Sequence, residues 1–145
     1  MLSTGSPIID AEAAFDRANR ERLRAAVRRA LRRGGPGRLR VYDERARTQP
    51  RFARRREIPL GQIRGTVEPF RAAMFDCAFR PTPSARRRWQ RVWLAEARGA
   101  VLPPITVVAV GDGYAVRDGH HRVSVARARG AQTIDAEVEG AVRTL

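Results

Sequence analysis

Three observations predict a mixed α+β domain with an arginine-rich helical extension at its N-terminus. Apolar, β-branched runs occur at Ile105–Val110, Tyr114–Val116 and Thr133–Val138 and read as strands. Between the second and third lies a helix reading, roughly Arg122 to Arg129, closed by Gly130. Much earlier, from Ala11 to Arg33, the residues Phe15, Leu23, Val27 and Leu31 recur at multiples of four beside Ala14, Ala18, Ala26 and Ala30, while Arg17, Arg20, Arg24, Arg28 and Arg32 lie largely elsewhere.

That early segment reads as an amphipathic helix stopped by Gly34-Gly35-Pro36-Gly37. The stretch Arg38 to Arg56 has mixed charge, Pro50 and little periodicity, as expected of a linker or poorly ordered arm. The chain therefore divides into a basic helical arm and linker, residues 1–56, and a domain, residues 57–145. Two readings of the arm stand: its arginines contact the phosphates of a nucleic acid, or they face solvent while the alanine and leucine stripe packs on the domain.

Glu57 to Glu68 opens the domain as a short strand followed by a turn. Thr82-Pro83-Ser84 starts a helix that Gly99 ends, with Trp89, Val92 and Trp93 on one face, the tryptophans expected as core anchors rather than as platforms for stacking bases. Arg54-Arg55-Arg56 and Arg86-Arg87-Arg88 are the sharpest basic clusters. The second sits in the first turns of a helix, where arginine opposes the dipole, and this conflict suggests an anionic partner. Both clusters are candidate nucleic-acid contacts.

Composition sets outer limits. A length of 145 residues fits one domain, and 43% hydrophobic content fits one modest core. No run approaches the length of a membrane span, and the N-terminus has no basic region followed by an apolar run, so neither a membrane partner nor a signal peptide is expected. Cys77 is the only cysteine, which excludes an intrachain disulfide and fits a reducing cytoplasm. All 29 basic residues are arginine, and the net charge is +14. Residues 1–56 hold 16 arginines against 6 acids, whereas residues 99–145 hold 5 of each. The excess charge is thus expected away from the C-terminal part.

The C-terminal part carries the chemistry. In Asp118-Gly119-His120-His121-Arg122 a strand hands over to a helix through glycine. The first helical turn leaves N–H groups without acceptors, and the dipole makes that end electropositive. Two imidazoles and a guanidinium at the same point suit phosphoryl recognition, with proton transfer by His121 as an added role. A turn that merely caps the helix would also use Asp-Gly.

The order strand, turn, Asp118–Arg122, helix, Gly130, strand resembles the ParB/sulfiredoxin superfamily. Leu102–Val107 looks like the entry strand of that fold, Tyr114–Val116 like its second hairpin arm, and Gly130 to Val138 like its closing strand. Phe75-Asp76, with Arg71 a turn before, is similar to the Arg and Phe-Asp element of ParB-like nucleotide-binding domains, one residue further apart. The likeness spans about residues 57 to 139. ParB partition proteins carry Gly-Glu-Arg-Arg at this loop and sulfiredoxins Gly-Cys-His-Arg, so His120 stands where the sulfiredoxin nucleophile would be. The Asp-Gly-His-His-Arg form is most similar to the branch that includes free serine kinases.

The resemblance implies a nucleoside di- or triphosphate, with Mg²⁺ as an option, bound at Asp118, Gly119, His120, His121 and Arg122, and secondary contacts from Arg71 and Asp76. It implies a ParB-like, DNA-associated binding domain, or alternatively a small-molecule phosphotransferase with Glu68 as general base and Asp76 next in line. A homodimer is compatible with either. No zinc-ligand spacing and no Walker lysine are present. Any Mg²⁺ would rest on Asp118 or Asp76 with phosphate oxygens and water. The chain ends a few residues past its last strand reading, so the helix-turn-helix reading domain of a partition protein is not expected.

Overall fold

The computed structural model describes residues 3–32, 34–35, 37–43, 51–111 and 113–141. In chain order the elements are α1 (Pro7–Arg32), β1 (Arg40–Val41), β2 (Arg51–Pro59), a 3-10 turn (Leu60–Gln62), β3 (Ile63–Thr66), α2 (Pro69–Ala72), a second 3-10 turn (Pro83–Ala85), α3 (Arg86–Ala97), β4 (Ile105–Val110), β5 (Gly113–Asp118), α4 (His120–Ala128) and β6 (Thr133–Ala141). The six strands form one mixed sheet in the order β1-β3-β5-β4-β6-β2. β4 and β5 form an antiparallel hairpin, β3 pairs with β5 in parallel, and β6 pairs in parallel with β4 and antiparallel with β2. The expected α+β class is the observed one, and β4 keeps the expected bounds.

Alternation along the strands sets the layers. Ile58, Ile105, Val107, Val116 and Ala136 turn to one face and pack with Phe75, Phe79, Val123 and Ala126. Val108 and Ala115 turn to the other, against Val67. α4 is covered on both sides: Val123 and Ala126 meet the sheet, while Val125 joins Phe15, Trp89 and Trp93 beneath α1 and α3. Its buried residues accordingly lie on more than one face, with His120, His121 and Ser124 buried beside Val123, Val125 and Ala126. Trp89 is fully buried, its indole N–H donates to Ser124 Oγ at 2.9 Å, and Phe15 meets its ring edge-on at 5.5 Å. Both tryptophans are core anchors. Among the described residues no helix is long and apolar enough to cross a membrane.

The arm differs from expectation in two ways. First, α1 packs through Ala11, Ala14, Phe15 and Ala18 rather than through the whole predicted stripe; Leu23, Val27 and Leu31 are exposed. The reason is helical drift. A repeat of four advances about 40° per step at 100° per residue, so Leu31 points roughly 160° away from Phe15. The stripe that stays in register runs on through Arg22 and Arg29, and these arginines reach the 76–81 loop: Arg22 Nε donates to the Pro81 carbonyl at 3.1 Å, and Arg29 Nη1 lies 4.0 Å from Asp76 Oδ2.

Second, the segment expected to be a linker belongs to the sheet at both ends. Arg40–Val41 pairs in parallel with Gly65–Thr66, and Leu39 is buried in the main core. Gly65 permits this approach, since a Cβ there would run into the Arg40 carbonyl oxygen. β2 starts at Arg51, so the boundary expected at residue 57 falls inside a strand. Local composition cannot reveal that strand, because its stability comes from pairing with β6, more than 70 residues away. Residues 44–50 of the expected linker lie outside the described residues.

Candidate phosphate-binding cleft

β5 ends at Asp118, and Gly119 turns the chain into α4 with φ of 105°. Glycine is required there twice over: the conformation is left-handed, and an added Cβ would lie 2.5 Å from Ile105 Cγ2. The Gly119 carbonyl accepts from Val123 N–H at 3.0 Å, so the amides of His120, His121 and Arg122 precede the first intrahelical bond. These amides and the positive end of the helix dipole lie at a cleft over the loop.

Both histidines are buried against Phe75. The ring of His120 stacks on it at 6.3 Å, and that of His121 meets it edge-on at 5.1 Å. His120 Nε2 is 2.7 Å from Thr66 Oγ1. That hydroxyl also accepts from Glu68 N–H at 2.8 Å and lies 3.1 Å from the Val116 carbonyl. All three contacts are satisfied when Thr66 donates to Val116 and accepts from His120 Nε2–H, which leaves Nδ1 of His120 unprotonated. Burial pushes the His120 imidazole down to about 4, helped by Arg71 and His121 and opposed by Asp118. Burial, then Arg88 and Arg71, lower His121 to about 4 as well. Both rings are neutral at pH 7, and His121 Nε2 is buried without a partner.

Over them opens a cleft of about 240 Å³ lined by Arg71, Arg88, Arg91 and the Asp118–Arg122 loop. Among the described residues neither Arg88 nor Arg91 makes an ion pair, and both are exposed. Arg71 is half-buried, and its Nη1 meets only the Met74 sulfur at 3.6 Å. The expectation that the excess charge lies away from the loop is thus corrected: α3 carries arginines from mid-sequence to the site.

Arg122 is placed differently from expectation. Its Nη1 donates to the Pro103 and Pro104 carbonyls at 2.6 and 3.0 Å, and its Nη2 donates to Asp118 Oδ2 at 3.2 Å. The guanidinium lines the cleft but spends its fork pinning the entry of β4 to the loop. The chain of Leu102-Pro103-Pro104 offers free carbonyls because proline breaks any regular pairing there.

The remaining expected residues separate. Asp76 does not reach the cleft: it is buried, and its Oδ1 accepts from Ala78 N–H and Arg80 N–H at 2.9 and 2.8 Å while Oδ2 pairs with Arg80. It builds the 76–81 turn. Glu68 sits at the N-cap position of α2 without a side-chain cap bond and does not line the cleft; its backbone N–H reaches the site through Thr66. Arg54, Arg55 and Arg56 lie exposed on β2, with Arg55 3.6 Å from Asp135. The Arg86–Arg88 cluster divides, as a helix must. Arg86 covers the Phe15 ring at 4.3 Å and pairs with Asp16, Arg87 is exposed, and Arg88 enters the cleft. The sequence reading misses Thr66 and Arg91. Arg91 follows Arg88 by three residues, so the helical spacing is a usable signal. Among the described residues no group of three or more His, Cys, Asp or Glu gathers where it could hold a metal ion.

The class thus defined is an α+β domain with an arginine-lined cleft at a helix N-terminus. Its fold is similar to that of sulfiredoxin from Arabidopsis thaliana, with 21% identity, a TM-score of 0.43, and coverage of 59% of this chain and 83% of that one. A likeness at this distance carries no functional argument. No family model matches the chain, and no curated protein matches it significantly.

Proposed function

We propose that this chain is a binding module for a phosphorylated ligand, a nucleoside di- or triphosphate, at the cleft over the start of α4. One observation carries the reading: Arg71, Arg88 and Arg91 converge on the open amides of α4, beside a buried His121 Nε2 with no partner. Phosphate oxygens would satisfy all of these groups at once. A cleft of about 240 Å³ suits a phosphate chain, with the nucleoside lying outside it. The neutral His120 ring, its one N–H given to Thr66, acts as a wall, and the neutral His121 ring as a donor through Nε2, rather than as added charge.

Association with DNA is the wider part of the proposal, and the exposed arginines Arg54, Arg56 and Arg87 support it. Phosphotransfer has weaker support, since the carboxylate lining the cleft, Asp118, is tied to Arg122, and Glu68 stands outside. Thermal-shift titration with nucleoside di- and triphosphates, with and without Mg²⁺, tests the reading. A ligand at a hundredfold its Kd adds about 2.7 kcal/mol, a rise on the order of 5–10 °C for a domain of this size. No rise with any nucleotide, or an equal rise with sulfate at the same charge concentration, would refute it.

A further inference from the structure

A second cavity, of about 480 Å³, opens at the far end of α4 and shares no lining residue with the phosphate cleft. Its size falls in the usual range for small-molecule sites, about 300–1,000 Å³. Phe79 lies in its wall at φ of 61°, the one non-glycine residue with positive φ among the described residues. Such a conformation is strained and persists only where surroundings over-determine it. Here they do: the Asp76 carboxylate accepts from Ala78 N–H and Arg80 N–H, and Phe79 N–H donates to the Asp76 carbonyl at 2.9 Å.

Arg127 rises from α4 over the Phe79 ring, its guanidinium carbon 5.6 Å from the ring centre. Its Nη2 donates to the Leu60 carbonyl at 2.8 Å, but its Nε is buried without an acceptor. An isolated buried donor is destabilising, so an unmet acceptor is called for. Arg17 and Arg80 also line the cavity, Arg80 with its Nη1 paired to Asp76 Oδ2 at 3.1 Å, and Glu21, the carboxylate of the lining, is bonded by Arg24 at 2.7 Å. The last carbonyls of α4 are capped by Arg129, Gly130 and Ala131 N–H groups at 2.9 to 3.0 Å, which limits their repulsion of an anion.

We infer that this cavity is a second ligand site for a small organic anion, its acidic group on Arg127 and Arg80 and its apolar body against Phe79 and Leu60. Neither the ligand nor the site depends on the phosphate cleft.

Amide NMR titration of the full chain with sodium benzoate, phenyl phosphate and neutral benzamide tests it. Benzoate should shift the Phe79, Arg127 and Gln132 amides saturably and leave His120 and His121 unmoved. Benzamide should bind about tenfold more weakly, the worth of one charge-assisted contact. Ala128→Trp, at an exposed position on the rim, should abolish these shifts without touching the core. Arg127→Lys should weaken benzoate about tenfold if it folds, and Ala128→Trp decides the matter if it does not. Absence of saturable shifts, equal binding of benzamide, or unchanged binding in Ala128→Trp would overturn the site. Phenyl phosphate shifts confined to His120 and His121 would overturn it while leaving the phosphate cleft intact.

Discussion

Thr66 Oγ1 and His120 Nε2 lie 2.7 Å apart in a fully buried contact between β3 and the first residue of α4. That bond fixes the orientation of the ring and, through the Val116 carbonyl, its tautomer. Thr66→Val keeps the shape and removes the hydroxyl, leaving His120 Nε2–H and Glu68 N–H without their acceptor. The expected cost is about 2–4 kcal/mol, at roughly 1–3 per isolated group with partial relief by water. Urea denaturation measures it, and a cost below about 0.5 kcal/mol would show that the contact is incidental.

The two histidines give the fold a pH dependence of definite sign. Each folded-state imidazole titrates at about 4, against about 6.5 unfolded. The unfolded chain therefore binds more protons between these values, so their contribution is complete above about pH 6.5 and is lost as pH falls towards 4. The loss is on the order of a few kcal/mol for the pair. Stability measured from pH 7 to pH 5 should fall, and the fall should flatten in His121→Gln. A flat wild-type profile across that window would contradict neutral buried rings.

Arginine substitutions should divide into two classes. Arg88→Ala and Arg91→Ala should each weaken phosphate-ligand binding by about 1–3 kcal/mol and leave stability unchanged, since neither has an ion-pair partner among the described residues. Arg122→Ala should lower stability by about 1–3 kcal/mol, because it abandons the Pro103 and Pro104 carbonyls. Calorimetric titration beside denaturation separates the classes. Equal behaviour of the three variants would mean that Arg122 moves to the ligand.

Gly119→Ala should destabilise by about 2–4 kcal/mol, combining left-handed strain with overpacking against Ile105. Gly130, also at positive φ, meets nothing within 4 Å of an added Cβ. Gly130→Ala should therefore cost only the conformational part, about 1–2 kcal/mol. Comparing the two unfolding midpoints isolates the contact with Ile105.

The Asp118–Arg122 loop is legible in the sequence because its parts are neighbours along the chain. Asp118 to Arg122 needs only a strand end, a glycine and a helix start, and these are local properties of φ preference and of unpaired amides. β4, β5 and α4 follow from their own periodicity in the same way. The strand at Arg51–Pro59, the exposure of Leu23 and Leu31, and the arginine wall of the cleft were decided elsewhere. A strand rich in arginine exists only because β6 pairs with it. A stripe spaced by four drifts off the face that α3 and α4 cover. Arg88 and Arg91 line the cleft with His121 because Trp89 and Trp93 fix which side of α3 is buried, and that choice is made by packing across the chain. Sequence determined where the glycine turn and helix start lie; tertiary packing decided which side chains line the cleft above them, because side-chain direction depends on contacts that no local pattern contains.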